Sequence, residues 1–425
     1  MNNILNINYE KHLLDNGLQV ILYKDNSLPI VSVNLWYKVG SAYETKGKTG
    51  FAHLFEHMMF QGSENVKKEE HFKYVQEAGG SLNGSTSFDK TNYYETVPSN
   101  YLDMALWLES DRLGYMLQGL TQEKLDNQKD VVMNERKQRY DNQPYGRSWE
   151  ILFSSVYPES HPYSWPTIGW MEDIKSYNLD DVKNFFKKYY VPNNASLVVA
   201  GDIDYEKALE SVKKFFGEIP KGSDVEHPPK QNSKITENKF VTHEDNVQLT
   251  RLYLAWNSDH LYGTDDAKLD LLSDILTGSK NSRLYKSLVF EKQIVQDISA
   301  FQYSADLQGT FFIIATAKPG VETAKIKEEI FLELEKLISD GVNDDELSRS
   351  VNSYKSSYIY SLQNIEVMAD HINNYNCHLG EPNSFVYDLE RYNQVTTKDI
   401  TECVKSYLKQ PFVELIISPK PQEAK

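Results

Sequence analysis

Residues 49–63, TGFAHLFEHMMFQGS, form the stretch around which the rest of the chain is organised. The alanine, leucine, phenylalanine, glutamate and methionine between its glycines predict a helix. On a helix His53 and His57 lie one turn apart on one face, with Glu56 beside them. Two neutral imidazoles so placed can bind one Zn²⁺, and a neighbouring carboxylate can take a proton from water at such a metal. The order H-x-x-E-H reverses the commoner H-E-x-x-H.

A purely structural role for these histidines is the alternative, since a histidine on an apolar helix face usually belongs to the core. The chain has ten histidines. Composition alone would produce the five-residue pattern about 0.02 times in a chain of this kind. The pattern therefore favours a metal site over a chance arrangement.

A catalytic zinc site also needs a third protein ligand. Residues 121–140, TQEKLDNQKDVVMNERKQRY, predict a helix that carries Glu135 close to the apolar Val132. Glu123 on the same helix is the rival candidate. Most helical glutamates are solvated surface residues, so the spacing alone leaves the choice between the two open.

Length and composition narrow the class of protein. The chain has 425 residues, 40% of them hydrophobic, which indicates a soluble globular protein, and that length suggests two domains of about 200 residues each. With 45 basic and 61 acidic residues the net charge is −16, which argues against a nucleic-acid or membrane partner. The amino-terminal sequence predicts no secretory signal, and no apolar run is long enough to cross a bilayer. Cys377 and Cys403 are expected to be free thiols in a reducing cytoplasm.

Strand and helix patterns follow one another in a mixed order along the chain, which predicts an α+β fold in which helices cover mainly antiparallel sheets. Residues 17–38 predict two strands broken at 26–29. Residues 81–97 predict a hairpin, with turn signals at both Asn83-Gly84 and Asp89-Lys90. Further helices are predicted at 49–63, 69–78, 101–117, 122–140, 149–156 and 179–190, and a strand at 195–200.

The second half of the chain looks like a copy of the first. Residues 220–239 are polar and contain prolines without an apolar period, so they predict a linker between domains at 1–219 and 240–425. At a displacement of 218 residues the matching pairs are Val182 and Ile400, Tyr189 and Tyr407, and 197–199 and 415–417. The same displacement replaces His53, Glu56 and His57 by Leu271, Asp274 and Ile275. The copy therefore keeps the helix and lacks the histidines.

The motif, with Glu135 inside DVVMNERKQRYDNQPYG, resembles the zinc peptidases of the pitrilysin, insulin-degrading enzyme and mitochondrial processing peptidase family. The half-size bacterial members of this inverzincin group are the most similar. The resemblance extends over residues 17–44, 79–98, 189–203 and 271–288. It implies two related α+β domains in each chain, and a clamshell of two chains that encloses an unfolded peptide.

The resemblance also implies roles for individual residues. His53, His57 and Glu135 would be the zinc ligands, and Glu56 the general base for hydrolysis of short unfolded peptides. Water activated at the zinc would attack the peptide bond, and Glu56 would pass its proton to the leaving amine.

The hairpin matches the family's substrate-binding edge strand, on which Asn83, Gly84 and Ser85 would bind the peptide backbone. An ordinary hairpin, in which Asn-Gly serves only as a turn, is the alternative.

Two positions depart from the family pattern. Gln128 stands where a second glutamate is usual, seven residues before the ligand, and is expected to orient a ligand by hydrogen bonding. Val289 and Gln296 stand where the family carries an arginine and a tyrosine that hold the substrate. We therefore expect the zinc-bearing subunit of a heterodimer, whose homologous partner supplies the Arg/Tyr pair, in preference to a homodimer.

Two other functions are compatible with parts of this pattern. The chain could be a non-catalytic scaffold subunit of a processing-peptidase-like complex. Two histidines and one carboxylate also hold Fe²⁺ or Mn²⁺ in oxygenases. A carboxylate between the two histidines favours hydrolysis.

Overall fold

The computed structural model describes residues 5–421, which form eleven strands and fourteen α-helices. The strands are β1 Tyr9–Leu13, β2 Gln19–Lys24, β3 Ile30–Tyr37, β4 Ser81–Thr86, β5 Thr91–Pro98, β6 Ala195–Gly201, β7 Lys239–Asp245, β8 Arg251–Ser258, β9 Val295–Tyr303, β10 Gly309–Ala317 and β11 Val413–Pro419. The helices are α1 Phe51–Met58, α2 Glu70–Glu77, α3 Leu102–Tyr115, α4 Gln122–Arg136, α5 Ser148–Val156, α6 Met171–Ser176, α7 Leu179–Tyr189, α8 Tyr205–Phe216, α9 Asp266–Thr277, α10 Thr323–Asp340, α11 Asp344–Ser361, α12 Ile365–Leu379, α13 Phe385–Asn393 and α14 Thr397–Cys403. None of the helices in the described part is both long and apolar enough to cross a membrane.

The strands form two sheets that share one topology. The first has the order β1-β2-β6-β3-β5-β4 and the second β7-β11-β8-β10-β9. In each sheet one pair is parallel, β2 with β6 and β7 with β11, and the other pairs are antiparallel. Without β1, the five remaining strands of the first sheet have the same order, in the sheet and along the chain, as the five strands of the second sheet. The predicted α+β class and the internal duplication are therefore confirmed.

The register of the duplication is also preserved. β6 begins at Ala195 and β11 at Val413, which are 218 residues apart, and both strands have seven residues. β5 and β10 begin at Thr91 and Gly309, again 218 residues apart. The displacement read from a few apolar residues therefore applies to whole strands.

The compact units of the structure are not continuous along the chain. One unit consists of the segment ending at Glu135 with Pro166–His227 and Tyr358–Asp388. The other consists of Arg136–Trp165, Pro228–Ser357 and the segment that begins at Leu389. The compact units therefore divide the chain differently from the domains predicted from the sequence. The first unit includes a segment that follows the predicted linker, Tyr358–Asp388, and the second unit includes one that precedes it, Arg136–Trp165.

Helix α12, which comes late in the chain, belongs to the first unit because its polar side chains bind the first sheet. Asp370 Oδ1 accepts a 2.9 Å hydrogen bond from Trp36 Nε1. Asn373, fully buried, donates to the backbone oxygen of Asn34 at 2.9 Å. Asn376 donates to Ser196 Oγ at 2.9 Å. Buried polar groups need such partners, so this face of α12 is specific for the sheet.

The local predictions hold in outline, with two corrections. The strands within 17–38 and the hairpin are present, and the hairpin turns at residues 87–90. The turn predicted at Asn83-Gly84 is wrong: both residues are paired within β4, opposite Tyr94 and Tyr93. Pairing with β5 outweighs the local turn preference of Asn-Gly.

The helix predicted at 122–140 is α-helical only as far as Arg136. It continues as a π-helical turn, Lys137–Asp141, which begins two residues after Glu135. Within the described chain such turns also occur at Tyr285–Glu291 and Val404–Leu408.

Candidate metal centre

Helix α1 carries the histidine motif and packs its apolar side against the first unit. The buried side chains of α1 are Phe51, Ala52, Leu54, Phe55 and Met58. The ring of Phe55 stacks on Tyr190 with centroids 4.6 Å apart. His53, Glu56 and His57 are half-buried on the remaining face. The 3.6-residue period therefore separates an anchoring face from a face that carries the reactive side chains.

The first turn of α1 is fixed by a carboxylate that the sequence did not indicate. Glu44 accepts hydrogen bonds from Gly50 N at 2.8 Å and Ala52 N at 2.7 Å. The first amide groups of a helix have no partner within the helix, and a negative charge there also favours the helix dipole. Gly50 has φ +83°, and a Cβ on it would lie 2.3 Å from the Ile168 oxygen, so only glycine fits. Both contacts fix where α1 begins.

Helix α4 presents Glu135 on the same face as its buried residues. Leu125, Gln128 and Val132 are buried, and Glu135 continues their helical spacing towards the last turn. Glu123 is exposed in the first turn and off this face. Reading the buried face from the sequence would thus have separated the two candidates.

The structure brings His53, His57 and Glu135 together. Glu135 Oε2 lies 3.7 Å from His53 Nε2 and 3.2 Å from His57 Nε2. One ligand atom from each residue lies within 4.8 Å of the other two. Tetrahedral zinc with bonds of 2.0–2.2 Å needs ligand atoms about 3.3 Å apart. Two nitrogens and a carboxylate oxygen in this arrangement fit Zn²⁺.

Glu56 faces strand β4. Its Oε2 accepts a 2.6 Å hydrogen bond from Thr86 Oγ1. Its Cγ lies 3.2 Å from the position that a Cβ on Gly84 would take. The candidate base therefore lies where helix α1 faces an edge strand.

β4 is the last strand of the first sheet and pairs with β5 on one side. Asn83 and Ser85 are exposed on it, and Gly84 is half-buried. Among the described residues no further strand pairs with the other side of β4, and Gly84 N donates to Asn83 Oδ1 at 2.9 Å. The predicted substrate-binding residues thus lie on the edge strand of the first sheet.

Of the remaining predicted residues, Gln128 lies on the same face of α4 as Glu135, whereas Val289 and Gln296 belong to the second unit. Gln128 is buried, and its Nε2 donates to Asn127 Oδ1 at 3.0 Å, which is not a bond to the candidate ligands. Val289 packs against the apolar core of the second unit, and Gln296 is exposed at the start of β9.

A second group of one histidine and two carboxylates is a buried ion cluster instead. His71, Glu95 and Glu109 are buried, with ligand atoms within 4.8 Å of one another. Arg112, also buried, binds both oxygens of Glu109, one of them at 2.9 Å. Burial raises the pKa of Glu95 to about 8 and lowers that of His71 to about 3. A neutral Glu95, a neutral His71 and a paired Glu109 leave no net negative charge for a cation.

Comparison with known proteins agrees with this geometry. The family model "Insulinase (Peptidase family M16)" matches residues 19–157, and "Peptidase M16 inactive domain" matches residues 176–354. The zinc protease PqqE of Helicobacter pylori is 34% identical over 364 residues, covering 84% of this chain and 80% of that protein. The chain belongs to peptidase family M16, which confirms the predicted resemblance.

Solved structures show the same fold. A protease from Helicobacter pylori superposes with a TM-score of 0.91 at 28% identity, over 97% of this chain and all of that one. The periplasmic protease PqqL from Escherichia coli has a TM-score of 0.80 at 17% identity. That alignment covers 97% of this chain but 48% of PqqL, so this chain spans about half its length.

The buried cluster predicts a pH dependence of stability. Glu95 has an ordinary pKa of 4.5 and a folded pKa of about 8, so between these values the folded state retains a proton that the unfolded state loses. Stability therefore falls as pH rises through this window. His71 acts oppositely, but only below its ordinary value of 6.5. From pH 6.5 to 8 the loss from Glu95 amounts to about 2 kcal/mol.

Urea unfolding in EDTA at pH 6.5 and 8.0 measures this loss. Glu95→Gln should remove most of the decrease, and Glu218→Gln, at an exposed position, should retain it. An unchanged decrease in Glu95→Gln would show that Glu95 is ionised in the folded state.

Proposed function

We propose that the protein is a zinc-dependent endopeptidase that hydrolyses short unfolded peptides. The observation that supports this most directly is the convergence of His53, His57 and Glu135, with Glu56 beside them on the same helix as the histidines. Membership of peptidase family M16 and the name of the H. pylori relative agree with it.

His53, His57 and Glu135 would hold the ion through two imidazole nitrogens and one carboxylate oxygen. Their side chains are 14%, 25% and 17% exposed, so the site is shielded but reachable by substrate. When bound, Zn²⁺ would lower the pKa of a water molecule towards about 7 and polarise the scissile carbonyl.

The other residues would handle the proton and the substrate. Glu56 would accept the proton of the attacking water and donate it to the leaving amine. An extended peptide would add to β4 as a further strand through backbone hydrogen bonds near Asn83, Gly84 and Ser85. Because this pairing uses hydrogen bonds to the peptide backbone, it requires an unfolded segment and tolerates varied side chains. Gln128 is buried on the ligand-bearing face of α4 and would support the position of Glu135.

A homologous partner would complete the enzyme. Val289 and Gln296 offer neither the guanidinium nor the phenol that the family places at these positions. E. coli PqqL is about twice as long as this chain, which is consistent with two half-size chains doing the work of one long chain. We propose a heterodimer that encloses the peptide. A cytoplasmic location remains a prediction.

A scaffold subunit is the second candidate. The observation in its favour is that residues 176–354 match a family model described as an inactive domain.

Metal analysis tests the ligand set. Wild-type protein should retain about one zinc per chain after dialysis, and Glu135→Gln should lower zinc affinity by more than about a hundredfold, since even supporting residues contribute ten- to a hundredfold. Glu123→Gln changes the rival glutamate of the same helix and should leave the affinity unchanged. If Glu123→Gln loses zinc and Glu135→Gln does not, Glu135 is rejected as the third ligand. Tightly bound iron or manganese would support the oxygenase alternative.

Replacement of the proposed base tests the chemistry. Glu56→Gln should keep its zinc and lower hydrolysis of an unstructured quenched fluorescent peptide by about 10³-fold, the typical contribution of a general base. Glu123→Gln again serves as the control. Full hydrolysis by zinc-loaded Glu56→Gln would contradict the assignment of Glu56 as the general base. If the wild-type chain is inactive with both zinc and partner, the scaffold function is favoured.

Reconstitution tests the partner. The pure chain should cleave the peptide at least about tenfold more slowly than the same chain with a homologue that carries the Arg/Tyr pair, because a charged hydrogen bond to substrate contributes about 1.5–3 kcal/mol. Equal rates with and without the homologue would show that no second subunit is needed.

A further inference from the structure

Strand β4 contacts the candidate base through one face. Gly84 and Thr86 are two residues apart, so both lie on the same side of the strand. This side meets Glu56: a Cβ on Gly84 would lie 3.2 Å from Glu56 Cγ, and Thr86 Oγ1 donates to Glu56 Oε2 at 2.6 Å. The carboxylate therefore lies over the glycine and is bound by the hydroxyl of the threonine.

A glutamate in this position needs an external partner to fix its orientation. The terminal torsion of glutamate is broad, so packing of its methylenes alone does not set the carboxylate plane, and hydrogen bonds to the carboxylate restrict it. Threonine is stiff at χ1 because it is β-branched. Thr86 is also fixed in the sheet by its pairing opposite Thr91 of β5. Its hydroxyl is thus a rigid donor to a flexible acceptor.

We propose that Thr86 is a positioning residue that orients the carboxylate of Glu56 for proton transfer. This inference rests on the endopeptidase function proposed above. Thr86 and the residues proposed to bind the peptide, Asn83 to Ser85, belong to one six-residue strand. Strand β4 therefore sets both the position of the substrate backbone and the orientation of the base. The edge strand takes part in catalysis as well as in recognition.

Three variants separate positioning from general stability. Thr86→Val removes the hydroxyl and keeps the size and β-branching, and Thr86→Ser keeps the hydroxyl. Thr96→Val is the matched control. Thr96 lies on the adjacent strand, is also half-buried, and donates to a different carboxylate, Glu366 Oε2, at 3.4 Å. A general cost of losing a hydroxyl in this sheet would affect both valine variants alike.

The assays use the zinc-loaded chain in whichever assembly hydrolyses the quenched peptide. Thr86→Val should lower kcat about tenfold and leave KM within about twofold, because orientation of the base matters only in the transition state. Thr86→Ser should recover most of the rate, and Thr96→Val should match wild type. Zinc content should be equal in all of them. The Kd for a peptide with a reduced, uncleavable bond, measured by fluorescence anisotropy, should also be unchanged in Thr86→Val.

The outcomes that overturn the inference are distinct. Unchanged kcat in Thr86→Val, equal losses in both valine variants, or a weakened Kd with unchanged kcat would each reject positioning by Thr86. If the wild-type chain hydrolyses nothing with zinc and partner, the endopeptidase function fails and this inference fails with it. If wild type is active, Glu56→Gln is inactive and Thr86→Val is indistinguishable from wild type, the proposed role of Thr86 is rejected and the endopeptidase function stands.

Discussion

The capping of helix α1 by Glu44 is the interaction on which the candidate centre depends. Two hydrogen bonds of 2.8 and 2.7 Å join this carboxylate to the amides of Gly50 and Ala52. They fix the rotation and the starting point of a helix only eight residues long, which has little stability of its own. With its apolar face packed on Tyr190, the helix can present His53 and His57 in only one direction. Donor atoms that must meet within a few ångströms of Glu135 require such rigidity.

The second unit shows the same scaffold without the chemistry. Leu271 and Ile275, at the positions that correspond to the histidines, are buried in the apolar core on helix α9. Asp274, which corresponds to Glu56, accepts a hydrogen bond of 2.5 Å from Ser350 of α11. Of the three positions that are half-buried in the first unit, the two that carry the histidines are therefore buried in the second, and Asp274 stays half-buried. Duplication has preserved the sheet order and helix while exchanging reactive residues for core packing.

Proximity of histidine and carboxylate does not by itself indicate a metal. The buried cluster around His71 and Glu95 is as tight as the group formed by His53, His57 and Glu135. The two groups differ in their surroundings. Arg112 supplies the positive charge in the buried cluster, and burial neutralises its remaining members. The group on α1 and α4 is partly exposed, and Glu56 beside it contacts an edge strand.

The sequence by itself determined the secondary-structure elements and the two histidines and the glutamate that helix α1 carries on one face. Residue composition predicted α1, turn signals predicted the hairpin, alternation predicted the two strands before α1, and the 218-residue displacement predicted the duplication. These features depend on neighbours along the chain or on repeated patterns. Tertiary structure decided what depends on contacts between distant residues. It placed Glu135, and not Glu123, beside the histidines, set Glu44 at the helix start and Thr86 on the base, and assigned Arg136–Trp165 and Tyr358–Asp388 to units across the predicted linker. Apart from the buried face of α4, which separates Glu135 from Glu123, no local pattern encodes these contacts, because each needs two segments that are distant in the sequence to pack together.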